Sequence, residues 1–180
     1  NFINRTMVLT HKFFNGKVPV ANNLNTDDLN VISEIKVLSD RIADSLDTFR
    51  FRDALSSMMD IARLGNKYLT DNEPWKIFSI NPDRVGTVIN ICLQICANLA
   101  IVAEPFLPFS AEKIRKMINA ESYLWQDAGR IDLLQAGTDV NAPVLLFSKI
   151  EDDVIETQIA KLHKIKLENE IKNKKINPQK

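Results

Sequence analysis

Glycine is scarce, with five in 180 residues. Alternating runs of β-branched residues are also few, while apolar residues recur often at three- and four-residue spacing. That combination argues against a β fold and for an all-α domain. There are two cysteines, Cys92 and Cys96, four apart. They form no CxxC pair, and no other cysteine or nearby histidine completes a metal set. They read as small core side chains, and reduced thiols fit a cytoplasmic protein. No apolar run approaches the ~20 residues that span a membrane. Even the most apolar stretch, 85–103, carries Asn90, Gln94 and Asn98. No Gly-rich phosphate loop occurs, and the two histidines are far apart, with no nucleophile pattern beside either. The carboxylates fall on helix faces, where solvation explains them. No catalytic site is expected within these residues. Formal net charge is zero, which argues against a broad, non-specific nucleic-acid binder.

The chain starts at Asn1, without a methionine or a signal-peptide pattern, and apolar periodicity begins at Phe2. We therefore expect a piece of a larger protein. Its length suits one domain with a sizeable core. The charge is uneven. Residues 1–20 hold Arg5, Lys12, Lys17 and His11 with no acid, and residues 161–180 hold seven lysines against Glu168 and Glu170. The expected division is a helical domain over 1–160, then the end of the last helix and a basic linker over 161–180.

In chain order, Phe2, Thr6, Leu9 and Phe13 mark the buried stripe of a first helix. Gly16 and Pro19 end it. Thr26 is expected to cap a second helix, with Leu29, Ile32, Ile35, Leu38, Ile42, Leu46 and Phe49 inward. A third follows over about 52–69, with Leu55, Met58, Met59, Ala62, Asn66 and Leu69 inward. The spacing leaves open whether 48–52 breaks or bends the helix. After a polar connector, 70–79, Asn81 caps and Pro82 opens the helix of 85–103. It is apolar on two sides, hence central in the bundle. Pro105 and Pro108 stop it, and Ser110 is expected to cap a short helix. Residues 119–142 are irregular, with Trp125 packed and half-buried. Residues 144–147 return to the core, and a last helix runs over about 154–173.

Two features point to recognition. Trp75 stands beside Pro74 in the charged connector Glu73-Pro74-Trp75-Lys76, a place hard to assign to a core. An exposed indole offers a flat face on which an unpaired base stacks, worth roughly 1–3 kcal/mol per base. Pro74 restricts the loop that carries it. Asn1, Arg5 and Lys12 form a second stripe on the first helix, roughly a quarter turn from the apolar one at ~100° per residue. An amide and a planar guanidinium fork can hydrogen-bond a base edge. An ordinary solvated flank would look the same. His11 points further toward solvent and is assigned no role.

Those segments resemble the anticodon-binding domain of methionyl-tRNA synthetase. Asn1-Phe2-Ile3-Asn4-Arg5-Thr6, with Thr10-His11-Lys12-Phe13-Phe14, resembles its first helix. Glu73-Pro74-Trp75-Lys76 resembles its anticodon loop. Gln94-Ile95-Cys96-Ala97-Asn98-Leu99 and Glu104-Pro105-Phe106-Leu107-Pro108-Phe109-Ser110 resemble its central helix and following bend. Leu146-Phe147-Ser148-Lys149-Ile150-Glu151 resembles the strand-like return and the last helix, which pack toward the catalytic domain. The resemblance covers nearly the whole chain. It implies a bundle of about five main helices that binds the CAU anticodon of methionine tRNA. Trp75 and Pro74 would meet the first anticodon base, Asn1 and Arg5 the anticodon bases, and Lys12 a phosphate.

It also implies an ATP-dependent methionine-tRNA ligase as the parent; the family's His-Ile-Gly-His-type and Lys-Met-Ser-Lys-Ser-type motifs are absent here, so this piece is not expected to activate methionine. No cofactor is expected in this piece, and ATP would act in the missing catalytic half. The expected partners are methionine tRNA and that catalytic domain. The piece is expected as a cytoplasmic monomer without membrane contact, and the parent as a monomer or dimer. Two other readings stand beside this one. The first is the equivalent domain of a class I synthetase for isoleucine, valine or leucine. The second is a helical protein-interaction scaffold with no RNA role, which would bury Trp75 or use it in a protein interface.

Overall fold

The computed structural model describes residues 1–120 and 122–176, with backbone alone for 173–176. The elements are α1 (Phe2–Phe14), α2 (Thr26–Asp47), α3 (Phe51–Asn72), the single turn α4 (Pro74–Ile77), α5 (Pro82–Val102), α6 (Pro108–Met117), a 3-10 turn at Trp125–Asp127, and α7 (Asp152–Ile176). The all-α expectation holds. The chain divides into two compact units, Asn1–Leu146 and Phe147–Lys180.

In the first unit everything is built on α5. Asn81 caps it by accepting from the Arg84 N–H at 3.0 Å, and Pro82 opens it, as the sequence predicts. Every residue from 85 to 102 is buried. The helix is long and apolar enough to cross a membrane by length and composition, contrary to the reading of its amides; here protein surrounds it. Those amides tie loops to the core. Asn90 donates to the Pro19 carbonyl at 2.7 Å. Gln94 donates to the Leu134 carbonyl at 2.8 Å and accepts from the Leu133 N–H at 2.9 Å. Asn98 donates to the Arg130 carbonyl at 2.7 Å and accepts from the Gly129 N–H at 2.6 Å. Irregular segment 119–142 therefore gets its partners from α5, since a buried amide must be satisfied. That segment also forms one isolated antiparallel bridge, Asp139 with Lys17.

Around α5 the expected buried faces hold in part: Phe2 and Thr6 of α1, Ile35, Leu38 and Ile42 of α2, and Met58 and Leu69 of α3 are buried, while other positions differ. In α1 the buried residues are Phe2, Ile3, Thr6, Met7 and Thr10, while Leu9 and Phe13 sit half-buried at the rim. Thr6 and Thr10 bury their hydroxyls by donating to carbonyls four residues back, at 3.1 and 2.8 Å. In α2 Leu29 is exposed, and Phe49, two residues past the helix end, is 79% exposed; Ser39 and Ser45 are buried as well. In α3 the inward residues are Ala54, Ser57, Met58, Ile61, Gly65, Tyr68 and Leu69; Leu55, Met59 and Asn66 face out. Small residues mark these helix contacts, and a search for large apolar residues passes over them. At Gly65 a Cβ would lie 2.5 Å from the Phe2 ring, so glycine is what lets α1 approach α3.

Several ends also differ. Asn25, rather than Thr26, caps α2, in a reciprocal capping box with Asp28. The turn between α2 and α3 is a true break, with Phe49 at φ +58°. Ser110 lies inside the first turn of α6, which opens at Pro108 without a side-chain cap. His11 is half-buried, and its Nε2 donates to the Asn141 carbonyl at 3.0 Å. Of the run 144–147, Leu146 packs on the core while Val144 and Leu145 are exposed.

The second unit consists of a short lead-in and α7, opened by Asp152 and Asp153, which suit the positive helix end. Residues 177–180 of the basic tail lie outside the described residues.

Candidate nucleic-acid interface

The connector at Trp75 is more ordered than its polarity suggests. Helix α3 continues to Asn72, and Glu73 then takes a left-handed backbone at φ +40°. This turns the chain, at a cost of about 1–2 kcal/mol for a residue with a Cβ. Pro74 follows as the buried first residue of α4, where its fixed φ suits a helix start. Lys76 donates to Glu73 at 2.7 Å across the turn. Trp75 is thus presented from a one-turn helix whose neighbour Pro74 is anchored in the protein.

Two further anchors flank it. Before it, Asp28 of α2 is buried and receives the Arg84 guanidinium at 2.9 Å and the Tyr68 hydroxyl. Burial alone would raise the Asp28 pKa; the hydrogen bonds from Arg84, Tyr68 and the Asn25 backbone outweigh it and hold the carboxyl below its ordinary value. Burial first, and then Asp28 beside it, raise the Tyr68 pKa above its ordinary value. Arg84 also donates to Asn72 at 2.6 Å, one residue before the turn. After it, Phe78 stacks on Phe13 of α1 at 4.3 Å and meets Phe14 edge-on at 5.9 Å.

Trp75 is 38% exposed. The Arg5 guanidinium lies over its ring, 5.1 Å from the centroid, inside the range of a cation–π contact. On the α3 side Arg5 reaches Asn66 and Thr70 at long distances of 3.5 Å each. Asn4, Arg5, Val8, Leu9 and Trp75 line an open cleft of about 320 Å³. Two of the expected site residues, Arg5 and Trp75, therefore meet, while Pro74, next to Trp75 in the chain, is buried and does not line the cleft. Asn1 stands exposed as the N-cap of α1, one turn from Arg5, and its carbonyl accepts the Arg5 N–H at 3.0 Å. Lys12 is two turns away in the other direction. It is exposed, with its ammonium 5.3 Å from the Phe13 ring, and does not line the cleft.

Asn4 and Val8 were not singled out from sequence, and Leu9 was expected only in the buried stripe of α1. Positions 1, 4, 5 and 8 share one helical stripe, a periodicity that would have found Asn4 and Val8. The Asp28–Arg84–Asn72 chain had no such signal, because its members are 56 and 12 residues apart.

A half-exposed indole under a guanidinium, in an open cleft on a rigid bundle, suits a flat, polar-edged ligand such as an unpaired base. Residues 18–166 match the family described as the anticodon binding domain of methionyl tRNA ligase. The chain belongs to that family. Among curated relatives, the methionine–tRNA ligase of Phocaeicola vulgatus is 51% identical over 178 residues, covering 99% of this chain and 26% of that protein. That of Cytophaga hutchinsonii is 49% identical over 180 residues, covering 100% and 26%. The chain thus spans about a quarter of the length of these ligases. Among solved structures, Mycobacterium tuberculosis methionyl-tRNA synthetase in complex with methionyl-adenylate has the same fold, with a TM-score of 0.74 at 20% identity over 83% of this chain and 30% of that one. The family matched is the methionyl one, not that of the isoleucine, valine or leucine enzymes. The helical-bundle expectation and the expected family both stand.

Proposed function

We propose that this chain reads the CAU anticodon of methionine tRNA, and that the longer protein containing it is a cytoplasmic, ATP-dependent methionine-tRNA ligase. The observation that carries the reading is Arg5 over the half-exposed Trp75 in an open cleft, within a chain of the anticodon-binding family. The first anticodon base, a cytosine, enters the cleft and stacks on Trp75. Arg5 yields its place over the ring and turns its planar fork to the base edge. Asn1, a turn away, contacts the anticodon from the end of α1. Lys12 pairs with a backbone phosphate, which positions the loop without reading it. Pro74 holds the turn, so little entropy is lost when the base binds. The domain works in one chain with the catalytic part, where ATP is used; it needs no cofactor, acts without a membrane and is monomeric in isolation, whether or not the whole protein dimerises.

A fluorescence titration of the Trp125→Phe chain, which leaves Trp75 as the sole tryptophan, tests this. A CAU anticodon stem-loop should quench strongly, and one with its first anticodon base changed should quench weakly. Equal quenching by both would remove base selection, and no quenching by either would remove the stacking role.

A further inference from the structure

The cleft beside Trp75 contains a polar group with no evident structural task. Asn4 lines it with Arg5, Val8, Leu9 and Trp75. Its side chain is half-buried and has no hydrogen-bond partner among the described residues, and its amide is not sealed from solvent. It does not reach back to cap α1, whose N-cap Asn1 has no capping bond. Asparagine is a weaker helix former than alanine, so local folding does not explain it either.

The chemistry of the cleft gives it a task. Of the five lining side chains, Val8 and Leu9 offer no polar atom, the indole N–H of Trp75 only donates, and Arg5 only donates. Asn4 Oδ1 is therefore the one hydrogen-bond acceptor among the side chains that line it. Cytosine differs from uracil in carrying an exocyclic amino donor where uracil has a carbonyl acceptor. A cleft lined by donors alone would favour uracil at that edge. We propose that Asn4 is a specificity-determining residue whose Oδ1 accepts the exocyclic amino group of the cytosine stacked on Trp75, while Arg5 donates to its acceptor atoms. The proposal rests on the anticodon reading above and extends it, because it assigns the choice of cytosine over uracil to one oxygen.

The test measures binding of the wild-type chain, Asn4→Ala and Asn4→Asp to fluorescently labelled CAU and UAU anticodon stem-loops by anisotropy, with circular dichroism on each protein. Wild type should favour CAU by about tenfold, the worth of one good base-edge contact. Asn4→Ala, a substitution that suits a helix, should bring the two affinities within about twofold by weakening CAU alone. Asn4→Asp keeps the acceptor and should keep the preference for CAU. An unchanged CAU preference in Asn4→Ala, or equal loss on both loops, overturns the role of Asn4 while leaving the anticodon reading in place. A wild-type chain that binds neither loop overturns both.

Discussion

The two tryptophans began alike, each in an irregular, polar stretch between helices. Trp125 sits in a 3-10 turn and packs half-buried on the core. The segment around it is tied down by Asn98 and Gln94 of α5 and by the Asp127–Arg130 pair at 2.9 Å. Trp75 is held just as firmly, through buried Pro74 and the two anchors beside it, yet its ring faces a cleft and a guanidinium. The difference lies in what is anchored. At Trp125 the side chain itself is packing. At Trp75 the backbone is fixed by its neighbours and the ring is left open to the cleft. Rigidity around a site and burial of the site residue are separable, and their separation is the mark of a preorganised binding surface.

Mutations should separate the two along the same line. The largest effect should come from the anchor before Trp75. Arg84→Met leaves the Asp28 carboxylate buried and unpaired, and urea denaturation should show a loss of about 3–5 kcal/mol, with Asp28→Asn in the same chain recovering part of it. Trp125→Ala should cost about 2–4 kcal/mol in the same assay and leave RNA affinity of the folded chain unchanged. Trp75→Ala should do the reverse, with stability altered by less than about 1 kcal/mol and RNA binding weakened by roughly 1–3 kcal/mol.

Acid should reach the Trp75 side through Asp28. Its carboxyl titrates lower in the fold than in the unfolded chain, so its contribution is fully present above the ordinary carboxylate pKa of about 4 and is lost as pH falls through the depressed folded value. Urea midpoints at neutral and at acid pH should show this loss, and Asp28→Asn should flatten it. The smallest effect belongs to Lys12→Ala, which should weaken CAU and UAU loops alike and lower the salt slope by about one.

Much of this was legible in sequence where periodicity and chemistry agreed. Helix α5 was readable because apolar residues on two sides leave a helix no exposed face, and its Asn-Pro start is a strong local signal. The pairing of Arg5 with Trp75 was readable from residue types and family resemblance together. The faces of α2 and α3 were legible only in part, with Ile35, Leu38, Ile42, Met58 and Leu69 buried as expected. Leu29, Leu55 and Phe49 fit an apolar stripe but are exposed, while Ser39, Ser45, Ser57 and Gly65 are buried among the large apolar residues, where small size matters more than polarity. Nor was Asp28 legible as an ion-pair centre, since an acid in a first turn is explained well enough by the helix dipole. Asn4 was hidden in plain view, one residue from Arg5. Only the cleft shows that it supplies the acceptor its neighbour lacks.

The most direct test follows both indole N–H signals in a nitrogen-15-labelled chain as the CAU stem-loop is added, with the Trp125→Phe chain assigning them. The expected result is a large shift of the Trp75 signal with CAU, a smaller one when the first anticodon base is changed, and a stationary Trp125 signal. A stationary Trp75 signal with bound RNA, or a shift of Trp125 in its place, would contradict the assignment of Trp75 as the stacking surface.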